Sequence, residues 1–283
     1  MRTGCVALFI ALALLSSSWI NAQQVSTNDA VARLRASVQQ MTSTLPDLIC
    51  HQQVTSIERV HGKIKMKGDF GYQITVTQPA KAGEDFPEKR TLLSYDGKPI
   101  DKHLEHYPIF NVTDGFGASF TDDLSPTAGR CLLYSSNATT VDGINALEVQ
   151  IRVNPKDLAL KVCRIYKHDP KGNEVFDLSL SSGRLLHFHA YFPYTELSQW
   201  KTAAEIPKII YFRHQALRPA SVATETNYES VKFGPDLTVI PAEVDATATP
   251  LKHPNIEYTY KAVNSECHRF LATVTLLPYK TTP

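Results

Sequence analysis

Two-residue alternation recurs along this chain, and it leaves few architectures open. Phe70, Tyr72, Ile74 and Val76 alternate with Gly71, Gln73, Thr75 and Thr77. Leu147, Val149, Ile151 and Val153 alternate with Glu148, Gln150 and Arg152. Phe270, Ala272, Val274 and Leu276 alternate with Leu271, Thr273 and Thr275. Successive side chains of a strand point to opposite faces, so each run predicts a half-buried antiparallel strand. Residues 91–95, 131–135, 209–212 and 222–228 are shorter candidates. Asp142-Gly143 and Ser182-Gly183 fall between paired runs and read as hairpin tips, and Asp96-Gly97 marks a further turn. Consecutive strands joined by short turns make an antiparallel meander.

One segment has a different period. Val31, Leu34, Val38 and Met41 are spaced by three and four, a single helical stripe. Thr27 or Asn28 can cap this helix, Asp29 favours its first turn, and Leu45-Pro46 ends it, so it runs from Asn28 to Thr44. A helix of this length needs a surface to bury its stripe against. Two stretches break the strand pattern and are expected as loop insertions. Residues 101–129 hold Pro108, Gly115, Gly117 and Pro126 among Phe110, Phe116 and Phe120. Residues 233–265 hold Pro235, Pro241, Pro250 and Pro254 with little periodicity. Loops of that length in a compact domain are usually functional or disordered.

The first 22 residues read as a secretory signal peptide. Arg2 precedes an apolar run from Val6 to Leu15, then Ser16-Ser17-Ser18, and Ala22 is a small residue at a cleavage position. The run is too short to span a bilayer of roughly 30 Å, and no later segment is apolar for long enough. The mature chain is expected to begin at Gln23, in the periplasm or outside the cell, as one β-rich domain over 23–283. Cys5 leaves with the signal. Cys50, Cys131, Cys163 and Cys267 remain, an even number that suggests two disulfides in an exported chain. Of three possible connectivities, one with Cys131–Cys163 joins the closest pair in sequence.

A formal charge of +1, with no basic stripe interleaved with aromatics, argues against nucleic acid as a partner. Lys63, Lys65 and Lys67 read as one solvated strand face. His187 and His189 are two apart, so they share a face and are weak metal candidates, but no third ligand is visible. His103, Glu105 and His106 lack metal-ligand spacing and read as a surface loop. Asp122-Asp123 reads as a turn or helix cap. Cys267-His268 point to opposite strand faces, which favours a disulfide over a thiol with its base. Asn111-Val112-Thr113 and Asn137-Ala138-Thr139 are sequons that matter only in a source that glycosylates exported proteins. No nucleophile elbow, phosphate loop or dinucleotide fingerprint occurs, and no cofactor is called for.

Several local textures act together. They are Leu45-Pro46-Asp47-Leu48-Ile49-Cys50-His51-Gln52 after the helix and the hairpin Thr140-Val141-Asp142-Gly143-Ile144-Asn145-Ala146-Leu147. Leu180-Ser181-Ser182-Gly183-Arg184-Leu185 and Cys267-His268-Arg269-Phe270 follow. With the order of elements, these make the chain similar to the lipoprotein-localisation-factor (LolA/LolB-like) family and to exported bacterial proteins of that type. The resemblance implies an unclosed β-barrel with helical cover on its concave side, and it brings no catalytic residues. The expected fold is therefore α+β and β-dominated, a curved antiparallel sheet with the amphipathic helix against it. The expected function is non-enzymatic binding or carriage of an apolar lipid or acyl ligand. Its lining would be Phe70, Tyr72, Ile74, Val76, Val149, Ile151, Phe188 and Phe192. Two rival classes are a secreted hydrolase or metal-dependent enzyme using His187 and His189, and an envelope module that contacts a protein partner through residues 233–265.

Overall fold

The computed structural model describes residues 25–78, 86–100, 110–112, 116, 124, 131–154, 156, 172–193, 210–212, 219–250 and 253–270. The helix α1 spans Thr27–Thr44. Its cap is Ser26, one residue ahead of Thr27 and two ahead of Asn28: the Ser26 hydroxyl accepts the Asp29 backbone N–H at 3.2 Å. This satisfies one of the donors that a helix start leaves over. Val31, Leu34, Val38 and Met41 are all buried, as the stripe predicts, and Ala30 and Ser37 join them. Leu45 closes the helix with its N–H on the Met41 carbonyl, and Pro46 cannot continue it.

Eleven strands form one antiparallel sheet. They are β1 (Leu48–Val60), β2 (Lys63–Val76), β3 (Glu88–Tyr95) and β4 (Lys98–Pro99), then β6 (Leu132–Val141), β7 (Ile144–Val153), β8 (Asn173–Ser179) and β9 (Leu185–Pro193). The long strands β11 (Pro219–Phe233), β12 (Asp236–Pro250) and β13 (Ile256–Arg269) complete it. The order across the sheet is β4-β3-β2-β1-β13-β12-β11-β9-β8-β7-β6, so the sheet is open, with β4 and β6 at its edges. A separate ladder pairs β5 (Phe110–Val112) with β10 (Ile210–Phe212). The hairpin turns fall where their residues demand. Val141 pairs with Ile144 across Asp142 and Gly143, both at positive φ, the two-residue turn that suits strand twist. The tip of the β1–β2 hairpin is exposed through Lys63, Lys65 and Lys67, the solvated face expected of that run.

Residues 233–265 correct the sequence reading. They are not a loop insertion but most of β12 and β13. Proline inside a strand forfeits a ladder hydrogen bond, which is why the segment reads as broken. Here Pro241 sits at a register shift opposite Tyr228, and Pro250 closes the end of β12 against Pro219. Bulges and strand ends are where a sheet tolerates proline. Of residues 101–129, Phe110–Val112 is strand β5, while Phe116 and Leu124 are buried. The remainder lies outside the described residues, as do residues 1–22, read above as a signal peptide, and the alternating run beyond Phe270.

Among the described residues the core falls into three clusters. The first lies under α1, which packs on β6 to β9 and β12. The second covers β1, β2 and β11 to β13, beyond the reach of α1, with Val112 of β5 against it. The third gathers Leu45, Leu48, Ile74, Val76, Phe233 and Ile240 at the C-terminal end of α1. Among the described residues no helix is long and apolar enough to cross a membrane.

Candidate functional site

The alternating residues land on buried positions, but not around one groove. Val149, Ile151 and Phe188 belong to the cluster under α1. There Val149 pairs with Phe176, and Phe176 with Phe188, whose rings lie 4.7 Å apart. Phe70 and Tyr72 belong to the second cluster, and the Phe70 ring also packs 5.1 Å from Tyr95. Ile74 and Val76 belong to the third. The Phe192 side chain lies outside the described residues.

A polar relay crosses the same sheet face, and it was not anticipated. Arg90 of β3 donates from Nε to Gln52 Oε1 at 3.0 Å, and Gln52 Nε2 donates to Asn264 Oδ1 at 2.9 Å. Asn264 Nδ2 in turn donates to the Pro241 carbonyl at 3.0 Å. Arg90 also holds β5 in place, through Nη2 to the Val112 carbonyl at 3.1 Å. Gln52 and Asn264 are only 2% and 5% exposed, so each must find its partners inside the protein. One clue exists in the sequence: Gln52 shares a strand face with Leu48, Cys50 and Val54, a polar break in an otherwise apolar row.

An open cleft lies at the end of α1. Its volume is about 490 Å³, and it is lined by the apolar Leu45, Pro46, Phe233 and Phe270 and by the polar Ser43, Thr44, Asp47, Gln78, Asp236 and Arg269. Its floor is tied down by backbone contacts. Phe270 N–H donates to the Asp47 carbonyl at 2.8 Å, and the Gln78 N–H to Asp47 Oδ1 at 2.6 Å. The Gln78 side-chain amide donates to the Leu45 carbonyl. Leu45 and Phe233 also belong to the third core cluster, so the cleft is the place where that cluster reaches the surface.

Beside this cleft, Cys50 is disulfide-bonded to Cys267. Strict alternation from Asn264 would turn Cys267 away from Cys50. A register shift between Ile49 and His51, with Glu266 at φ 50°, turns it back. Cys267 is therefore no thiol nucleophile for His268. Cys131 is disulfide-bonded too; the expected partner Cys163 lies outside the described residues.

The histidine pair points to the opposite, outer face of the sheet. His187 stands between Asp177 of β8 and the β11 residue Glu225. Its Nδ1 is 3.0 Å from Asp177 Oδ2 and its Nε2 is 3.1 Å from Glu225 Oε1. Both ring nitrogens can donate only in the imidazolium form. The Asp177 hydrogen bond and the two carboxylate charges raise the His187 pKa above its usual value, against the opposing effect of burial. His189 shares this face, opposite Glu225. Among the described residues, no three His, Cys, Asp or Glu side chains are placed to hold a metal ion. His103, Glu105, His106, Asp122 and Asp123 lie outside the described residues.

A pH dependence follows. Because the folded pKa is raised, the His187 contribution to stability is fully present below the unfolded value of about 6.5 and is lost as pH rises through the folded value. Urea unfolding measured across neutral pH should show stability falling with rising pH, and His187→Gln should flatten that component. An unchanged slope in the variant would mean that the carboxylates do not hold the imidazolium.

No family model and no curated relative matches the chain. Solved structures similar to it include a DUF1329 family protein from Desulfovibrio piger, 10% identical, with a TM-score of 0.38. That alignment covers 88% of this chain and 95% of the other. A LolA superfamily protein from Nitrosomonas europaea is 10% identical at a TM-score of 0.35, covering 84% and 94%. MucB, in its complex with MucA(peri), is 11% identical at a TM-score of 0.21, covering 85% and 94%. Likeness at this level identifies no functional residue.

Proposed function

We propose that the protein is an exported, non-enzymatic binding protein for an apolar acyl or lipid chain, which enters at the cleft beside the C-terminal end of α1. The observation that carries this reading is the cleft itself. Its volume is of the size that small-molecule sites use, about 300–1,000 Å³. Two of its lining residues, Leu45 and Phe233, belong to buried core, and the charged Asp47, Asp236 and Arg269 line it as well. That arrangement suits a ligand with an apolar body and a polar end. The disulfides at Cys50–Cys267 and at Cys131 fit an oxidising compartment outside the cytoplasm.

Titration with a fluorescent fatty-acid probe tests the reading. Phe270 is 40% exposed, so Phe270→Asp can spoil the cleft wall without touching the core. Losing one buried aromatic contact should weaken binding by about tenfold or more. High salt should leave wild-type affinity nearly unchanged, since burial rather than charge drives it. Leu133→Asp, on the outer sheet face, should bind as wild type does. Absence of saturable binding, or equal affinity in Phe270→Asp, overturns the proposal.

A further inference from the structure

The two edges of the open sheet are built differently. At one edge stands β4, two residues long and made of Lys98 and Pro99, beside a β3 that carries Lys89 and Arg90. Short length, charge and proline are the devices by which sheets keep an edge from pairing with another chain. At the other edge stands β6, ten residues of sequence LLYSSNATTV. It carries no charge, no proline and no glycine, its register against β7 runs without a shift, and among the described residues β7 is its one strand partner.

The register says which backbone groups face outward. Val141 and Ile144 flank the two-residue turn, so they form a hydrogen-bonded pair, and every second residue of β6 does likewise. Thr139, Asn137 and Ser135 therefore bond to β7, whereas Ser136, Ala138 and Thr140 aim their N–H and C=O groups away from the sheet.

We propose that β6 pairs antiparallel with β6 of a second copy of this chain, across a two-fold axis at Ala138. Self-pairing of that kind sets a strand against its own sequence in reverse. Like charges directly opposite each other would oppose it, and β6 has none. With Ala138 on the axis, Ser136 lies opposite the partner's Thr140, which places hydroxyl beside hydroxyl on one face. Asn137 lies opposite the partner's Thr139 on the other. The three outward-facing residues form hydrogen-bonded pairs, giving about six inter-subunit backbone hydrogen bonds and one sheet continuous through two subunits.

Sedimentation equilibrium of the full chain at rising micromolar concentration tests this. The expected mass is twice that of the chain. Ala138 is exposed, so Ala138→Lys and Ala138→Glu should both fold, which their thermal transitions check. Each should sediment alone as a monomer, because like charges then meet on the axis. An equimolar mixture of the two should return to the doubled mass. A monomeric wild type, or a dimer undiminished in Ala138→Lys, overturns the proposal; in the first case the edge is left to an extended segment of another protein.

Discussion

Leu34→Asp is expected to abolish the cooperative unfolding transition at room temperature. Leu34 is fully buried, at 0% exposure, in the cluster it shares with Val149, Phe176 and Phe188. Removing its packing costs about 2–5 kcal/mol, and placing a carboxylate there costs several kcal/mol more or forces it to be neutral. Together these rival the whole stability of a typical domain, about 5–15 kcal/mol. Ala36→Asp, exposed on the same helix, removes no packing and should keep the transition. Circular dichroism with urea separates the two outcomes. A Leu34→Asp protein that unfolds as wild type does would show that α1 is detached from the sheet.

The second large effect belongs to the Cys50–Cys267 bond. Its two cysteines are 217 residues apart, so it closes a long loop in the unfolded chain. The double variant Cys50→Ala/Cys267→Ala should lose about 2–5 kcal/mol of stability, read as a lower urea midpoint under non-reducing conditions. Keeping Cys131 oxidised in both proteins isolates the one bond. Non-reducing peptide mapping should recover the Cys50 and Cys267 peptides joined. A midpoint equal to wild type would mean that the β1–β13 ladder alone holds this end of the sheet.

Strands whose inner face is large and apolar were legible. Phe70 to Val76 and Leu147 to Val153 alternate strongly enough to be read directly, and α1 announced itself by its stripe. The strands β12 and β13 were not legible, for a physical reason. Their buried rows are Val244, Ala246 and Ala248, and Tyr258, Tyr260 and Ala262. Ala246 pairs with Tyr260 and Ala248 with Tyr258, so small residues sit where large rings lie across the strand. Alanine carries little hydrophobic contrast, and two prolines interrupt the row. The pairing sense that makes the pattern intelligible is between strands, not along one. The same holds for the site. Arg90, Gln52, Asn264 and Pro241 meet only because β3, β2, β1, β13 and β12 lie side by side. The cleft, too, joins the end of α1 to Phe233, Asp236, Arg269 and Phe270, far later in the chain.

The strand order has a consequence for the making of the protein. Strand β1 finds its second neighbour in β13, and α1 finds its surface on β6 to β9 and β12. A ribosome delivers the helix long before any of these partners. At about 5–20 residues per second, the stripe of Val31, Leu34, Val38 and Met41 waits roughly 10–40 seconds for the last of β12 to be synthesised. Until then the helix lacks part of its surface and β1 has β2 alone beside it. Such a chain offers a holding chaperone a surface that folding later withdraws.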